Sequence, residues 1–207
     1  MKETRTTQRI AGAILAGGKA QRMGGIAKGM LPLGGALSLI ERLVVHLMRA
    51  GVEEIIIAAN DDRPYKRIGC SIVPDARIDA GPLAGIEAAL GYLADRYDAV
   101  LCLPCDMPSL SWREMSALLT AFADTGGPVI FAETGDGARH PLCAAVRTDL
   151  LNEISMALDR GERTVTDVWS QLGGFTVHFD DPNVFINLNS PGDLDAWLAG
   201  RPNGRTR

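Results

Sequence analysis

No stretch of this sequence is apolar for long enough to cross a bilayer. The longest runs resemble Ile55-Ile56-Ile57-Ala58-Ala59, far short of the roughly 20 residues a spanning helix needs. The opening residues 1–9 contain no apolar core, so no secretory signal is expected and the expected location is cytoplasmic. Cysteine is sparse. Four residues (70, 102, 105 and 143) make no disulfide framework in a chain of this length. Cys102 and Cys105 form a lone C-x-x-C with Pro104 inside it, whereas a four-ligand zinc site wants a second pair. His46, His140 and His178 are scattered, so buried thiols at a strand end are the expectation. Neither sign of charge dominates: 21 Lys+Arg stand against 25 Asp+Glu, a net charge of −4. That balance argues against wholesale nucleic-acid binding and leaves room for a local basic pocket. Neither nucleic acid nor membrane is an expected partner.

What is present is ordinary globular material. Hydrophobic residues at 46% and charged residues at 22% exclude a disordered chain. A chain of 207 residues buries roughly 70% of its unfolded surface and needs no staple. There is no internal repeat and no low-complexity linker. The expected organisation is one domain over residues 10–200, with flexible tails at 1–9 and 201–207.

Apolar periodicity alternates between short buried runs and amphipathic stretches. Ala11–Ala16 reads as a first buried strand ending at Gly17-Gly18. Residues 37–50 place Ile40, Leu43, Val44 and Leu47 on one helical face, with Gly51 as the stop. Ile55–Ala58 and Ser71–Val73 read as strands, and Pro82 opens a helix carrying Leu83, Ile86, Leu90 and Leu93. Ala99–Leu103 is a strand broken by Pro104. Ser111 and Glu114 form a capping box before Met115, Leu118, Leu119 and Phe122, and Val129–Ala132 is the next strand. The last third holds a strand at 142–146, helices at 149–158 and 164–172, apolar pieces at 175–179 and 184–188, and a final helix capped by Ser190. The expected fold is a three-layer α/β sandwich around a mostly parallel sheet.

In such sheets ligands bind beyond the carboxyl ends of the strands. After the first strand come Gly17, Gly18, Lys19, Arg22, Gly24, Gly25 and then Lys28; after the second, Asn60; after the third, Asp75; after the fourth, Asp106. Glycines let backbone N–H groups turn toward an anion, and three loop cations suit a triphosphate. A carboxylate such as Asp106 would hold Mg²⁺, which takes one or two protein carboxylates and completes its shell with phosphates and water. Positioning and charge neutralisation are what phosphoryl or nucleotidyl transfer mainly requires. Asp75 and Asp106 also fit turns beside proline, Asp75 the more so, but their place at strand ends around the glycine loop favours a site role for both. Neither G-x-x-x-x-G-K-[ST] nor G-x-G-x-x-G fits the glycine loop, which disfavours a P-loop kinase and a nicotinamide dehydrogenase.

Leu15-Ala16-Gly17-Gly18-Lys19-Ala20-Gln21-Arg22-Met23-Gly24-Gly25, followed by Lys28, resembles the signature of nucleotidyltransferases that build nucleotide sugars and cofactors. Taken with Gly81-Pro82-Leu83-Ala84-Gly85, Pro104-Cys105-Asp106-Met107-Pro108, Arg139-His140-Pro141, Gly161-Glu162-Arg163 and Phe185-Ile186-Asn187-Leu188-Asn189-Ser190-Pro191, the chain resembles the molybdenum cofactor guanylyltransferases from residue ~10 to ~198. The resemblance implies a Rossmann-like fold of the nucleotide-diphospho-sugar transferase type. It implies GTP contacts at Leu15, Ala16, Gly17, Lys28, Asp75 and Asp106, and the glycine loop adds Gly18 and Lys19, with Asn60, as further nucleotide-contact candidates. Asp106 would also be the Mg²⁺ ligand, and Arg22, Lys28 and Asp106 the catalytic set. Gly17 favours guanine, since cytidylyl-transferring relatives tend to carry alanine there. The molybdopterin side would be formed by Arg139, His140, Asn187 and Asn189, the last two on one face of an extended segment. Two departures stand out. Ala58 replaces a frequent asparagine, for which Asn60 is the candidate substitute, and Ala27 replaces a frequent aspartate.

The activity implied is transfer of GMP from GTP to the terminal phosphate of molybdopterin, with or without molybdenum, releasing pyrophosphate. Partners implied are GTP, molybdopterin, molybdenum-insertion proteins, and apo-molybdoenzymes or their chaperones. Two rivals remain open: a cytidylyl- or sugar-nucleotidyltransferase, and a nucleotide-binding regulator without turnover.

Overall fold

The structure, a computed structural model, describes residues 8–17, the backbone of 22 and 23, and residues 26–200. The proposed tails, apart from residues 8 and 9, lie outside it. Strands β1 (Ile10–Leu15), β4 (Ile55–Ala58), β5 (Ser71–Val73) and β6 (Ala99–Pro104) are parallel, in the order β5-β4-β1-β6. Between β1 and β4 in the chain, β2 (Arg22–Met23) and β3 (Ile26–Ala27) pair antiparallel as a separate small ribbon. The sheet continues through β8 (Arg139–Arg147), β7 (Val129–Thr134) and β9 (Phe175–Phe179) to seven strands. β8 runs antiparallel to both neighbours, whereas β7 and β9 are parallel. The sheet is therefore mixed but mostly parallel, as expected.

Residues in β1 alternate between two cores. Ala11, Ala13 and Leu15 join one cluster with helices α2 (Pro82–Leu93), α4 (Leu151–Asp159) and α5 (Val165–Gln171). Ile14 and Ala16 join the other, with α1 (Leu39–Arg49) and α3 (Trp112–Thr125). A strand buried on both faces has no polar side to show, which is why these runs read as continuously apolar. Gly12 lets α1 approach closely: a Cβ there would lie 3.2 Å from Leu47 and Val52.

Capping boxes set the starts of three helices. Ser111 and Glu114 open α3, and Ser190 opens α6 (Pro191–Ala199), as expected from sequence. Ser38 with Glu41 opens α1, a box that the sequence reading did not single out. The piece at 175–179 becomes β9. The piece at 184–188 is not a strand: Pro182–Phe185 form a 3₁₀ turn and the chain then runs extended to Ser190. β8 begins earlier than the expected 142, and its pairing to β7 jumps from Ala144 to His140, looping out Pro141, Leu142 and Cys143. Trp169 secures this bulge by donating its indole N–H to the Pro141 carbonyl at 2.8 Å.

Cys102, Cys105 and Cys143 are buried and free, and burial pushes the Cys102 and Cys105 thiols up to about 12. Among the described residues no helix is long and apolar enough to cross a membrane.

The two clusters should respond to truncation as packed interiors do. Leu90→Ala, in the α2 core, is expected to cost about 2–5 kcal/mol in denaturant unfolding. Met156→Ala, on the exposed side of α4, should stay within about 0.5 kcal/mol.

Candidate active site

Chain direction across the sheet reverses at β1: the first crossover leads out to β4, whereas the connection from β6 leads the other way to β7. The crevice beyond the carboxyl ends of β1 and β6 is the topological switch point, and Gly17 and Asp106 sit at those two ends.

The centre of the crevice is one hydrogen-bonded charge cluster. Lys28 lies in a 3₁₀ turn (Lys28–Met30) after β3. Its Nζ donates to Asp106 Oδ2 at 2.8 Å and to Asn189 Oδ1 at 3.0 Å. The lysine side chain is only 10% exposed and the aspartate 20%, so the pair is shielded from solvent screening. Three local devices bring the partners together. Gly29 is clamped between Tyr65 and Ile40, where a Cβ would lie 3.2 Å from the Tyr65 ring. Leu31, Leu33, Leu39 and Leu188 form a small core of their own, with Leu194 and Trp197 packed against it. The Leu188 amide donates to the Asp106 carbonyl at 2.9 Å, and Asp193 Oδ2 accepts from the amides of Asn189 and Ser190. Segments far apart in sequence are thereby fixed around Lys28.

A second group lies at the end of β4 and β5. Asn60 spends both ends of its amide on Asp75: Nδ2 donates to Asp75 Oδ2 at 3.0 Å, and Oδ1 accepts from the Asp75 amide at 2.9 Å. Glycine lines the carboxylate on two sides. A Cβ at Gly17 would lie 3.4 Å from Asp75 Oδ2, and one at Gly85 would lie 3.4 Å from Oδ1. Asp75 Oδ1 is buried with no hydrogen-bond partner among the described residues. Burial holds the Asp75 carboxyl above the usual aspartate range, opposed by the Asn60 hydrogen bond. An orphaned buried acceptor calls for a donor.

Other candidates fall into place differently. Leu15 and Ala16 are buried, with the Leu15 carbonyl and Ala16 amide already engaged by Cys105 and Ala58. Gly18, Lys19 and the side chain of Arg22 lie outside the described residues, as do Gly24 and Gly25. Arg139 is paired with Glu133 across the strands. His140 stacks on Phe185, ring centroids 4.5 Å apart, and its Nε2 meets Thr134 Oγ1 at 3.2 Å. Burial lowers the His140 pKa. Asn187 and Asn189, with Ile186, Asp193, Ala196 and Trp197, line a cavity of ≈ 460 Å³, and Asn189 is the residue among them that meets Lys28. Gly85 was not among the expected contacts, although its motif was visible. Ala58 is buried against α2 in the apolar cluster, next to the space Gly85 leaves.

A shielded lysine–aspartate pair at a switch point, beside a glycine-lined acceptor, is the equipment of a nucleotidyltransferase. The chain belongs to the MobA-like NTP transferase domain family, whose pattern it matches over residues 12–173. It is 38% identical to the molybdenum cofactor guanylyltransferase of Burkholderia vietnamiensis, over 92% of this chain and 96% of that protein. With the Yersinia pestis protein of the same name it shares 31% identity, over 91% and 94% of the two chains. Molybdopterin-guanine dinucleotide biosynthesis protein A from Archaeoglobus fulgidus has the same fold, at a TM-score of 0.72 and 22% identity over 91% of this chain and 97% of that one.

The raised Asp75 pKa gives a pH signature. An acid whose folded pKa lies above its unfolded value binds more protons when folded, so stability falls as pH rises through that window. Asp75→Asn removes the penalty. The variant should melt above the parent at pH 7, and the gap should close below the unfolded aspartate value of about 3.9. Melting curves from pH 3 to 8 check the sign, and a parent that outlasts the variant at pH 7 contradicts it.

Proposed function

We propose that this protein transfers GMP from GTP to the terminal phosphate of molybdopterin, releasing pyrophosphate. The observation that carries the reading is the Lys28–Asp106–Asn189 cluster between a glycine-lined nucleotide end and the Asn187/Asn189 cavity. An acceptor phosphate oxygen attacks the α-phosphorus, the bond to the bridging oxygen breaks, and pyrophosphate leaves with that electron pair. The attacking oxygen is already anionic, so no strong general base is needed. Lys28 is poised to exchange its carboxylate partner for phosphate oxygens, and its positive charge then offsets charge developing on the triphosphate.

Mg²⁺ fits this site by donor chemistry. Asp106 Oδ1 accepts no hydrogen bond from the described residues, and one carboxylate completed by phosphates and water is a usual magnesium environment. Asp106 would hold the ion, which would supply charge neutralisation at the α-phosphate. Arg22 and Lys19 join the phosphate side and Arg139 the acceptor side in this reading. His140 acts behind the acceptor segment. Guanine is favoured by Gly17, and Asn60 acts by holding Asp75. The proposed setting is the cytoplasm, with molybdenum-insertion proteins and apo-molybdoenzymes or their chaperones as partners.

Asp106→Asn should fold and lose about 100-fold or more in transfer, the scale of a lost electrostatic group. Because Asn189 touches Lys28 directly, Asn189→Ala should weaken GTP as well as acceptor binding, in place of the acceptor-only loss its cavity position suggests. Pyrophosphate release with GTP, CTP or ATP, with and without molybdopterin, tests the reading. Turnover that prefers CTP, or no turnover with any nucleotide, overturns it.

A further inference from the structure

Between Asp75 and the start of α2 the chain makes a short loop whose one buried apolar residue is Ala80, at its far end from Asp75. Ala76 is exposed and Ile78 is 93% exposed. Asp79 adopts φ +56°, in the left-handed region that favours glycine, and Gly81 follows at φ +78°. A loop with so little apolar anchorage requires polar fastening if the carboxylate at its head is to keep one position.

Arg77 provides such a fastening, two residues after Asp75. Its Nε donates to both carboxylate oxygens of Glu87, at 2.8 and 3.1 Å. Nη1 donates to Asp159 Oδ1 at 2.5 Å and Nη2 to the Ser155 carbonyl at 3.3 Å. Ser155 Oγ in turn donates to Glu87 Oε1 at 2.7 Å. Glu87 lies on α2 and its side chain is only 10% exposed, whereas Ser155 and Asp159 belong to α4. One planar guanidinium thus ties the loop to two helices at once, a fork geometry that lysine cannot reproduce. The same helix α2 carries Gly85, whose missing Cβ makes room for Asp75 Oδ1. The tether and the carboxylate's slot are therefore built on one element.

We infer that Arg77 is a positioning residue for nucleotide binding, holding Asp75 against Gly17 and Gly85 by locking the loop to α2 and α4. The inference rests on the proposed nucleotide role of Asp75. Its test is a double-mutant cycle on GTP affinity, measured by calorimetric titration of the full chain, with melting temperature recorded alongside. Arg77→Gln should weaken GTP binding about tenfold in the parent and less than about twofold in Asp75→Asn, because groups acting through one another are not additive. Arg77→Lys should fall between, and it carries the cycle if Arg77→Gln does not fold. Arg77→Gln combined with Glu87→Gln removes the unpaired buried carboxylate; it should recover melting temperature without recovering GTP affinity.

Equal losses in both backgrounds would overturn the Arg77 inference and leave Asp75 in its role. Recovery of affinity together with stability in the Arg77/Glu87 variant would make the tether a stability element only. An Asp75→Asn protein that binds GTP as the parent does would overturn the nucleotide reading of Asp75 itself, and this inference with it.

Discussion

The ion pair between Lys28 and Asp106 organises the crevice. A lysine that is nine-tenths shielded is tolerable only with a carboxylate and a further acceptor in place, and Asp106 and Asn189 are those acceptors. Removing either leaves a shielded cation under-satisfied. The surrounding packing makes sense as the means of holding three segments in register: the clamp on Gly29, the small leucine core, and the Leu188 amide on the Asp106 carbonyl. The two side chains carry opposite charges and are held 2.8 Å apart.

Asp75 shows the opposite arrangement. Its carboxylate is half-buried with no cation hydrogen-bonded to it among the described residues, bonded on one oxygen by Asn60 and with the other, buried, lacking a partner among those residues. Burial of that kind lowers stability at neutral pH and keeps an acceptor ready, a trade that functional sites commonly make. The two centres differ in chemistry: an ion pair at the end of β6, and at the ends of β4 and β5 a carboxylate with one buried oxygen left without a partner among the described residues.

The departure at Ala58 is clarified by the same geometry. The side chain faces the apolar α2 layer beside Gly85, and the strand ends at that residue. Asn60, two residues on, turns its amide wholly onto Asp75. An asparagine in the bend thus acts on the aspartate's position, whatever a residue at 58 contributes elsewhere in the family. His140 stacks on Phe185, just before the segment that carries Asn187 and Asn189.

Strands β1, β4, β5 and β6 were legible because parallel strands buried on both faces must be uninterrupted apolar runs, and Gly17, Asn60, Asp75 and Asp106 were legible because ligands gather where such strands end. Ser111 and Ser190 were legible as caps because a capping box is written within four residues. The bulge at Pro141–Cys143 was not, since it depends on Trp169 reaching a carbonyl 28 positions away. Nor was the strand state of 175–179, which is decided by pairing to β7 and not by its own short apolar pattern. Local chemistry thus fixed which residues could serve the site. Only the tertiary fold decided that Asn189 would cross 161 positions to meet Lys28, and that Arg77 would be bound by two helices, because contacts between distant segments are set by packing and leave no local trace in sequence.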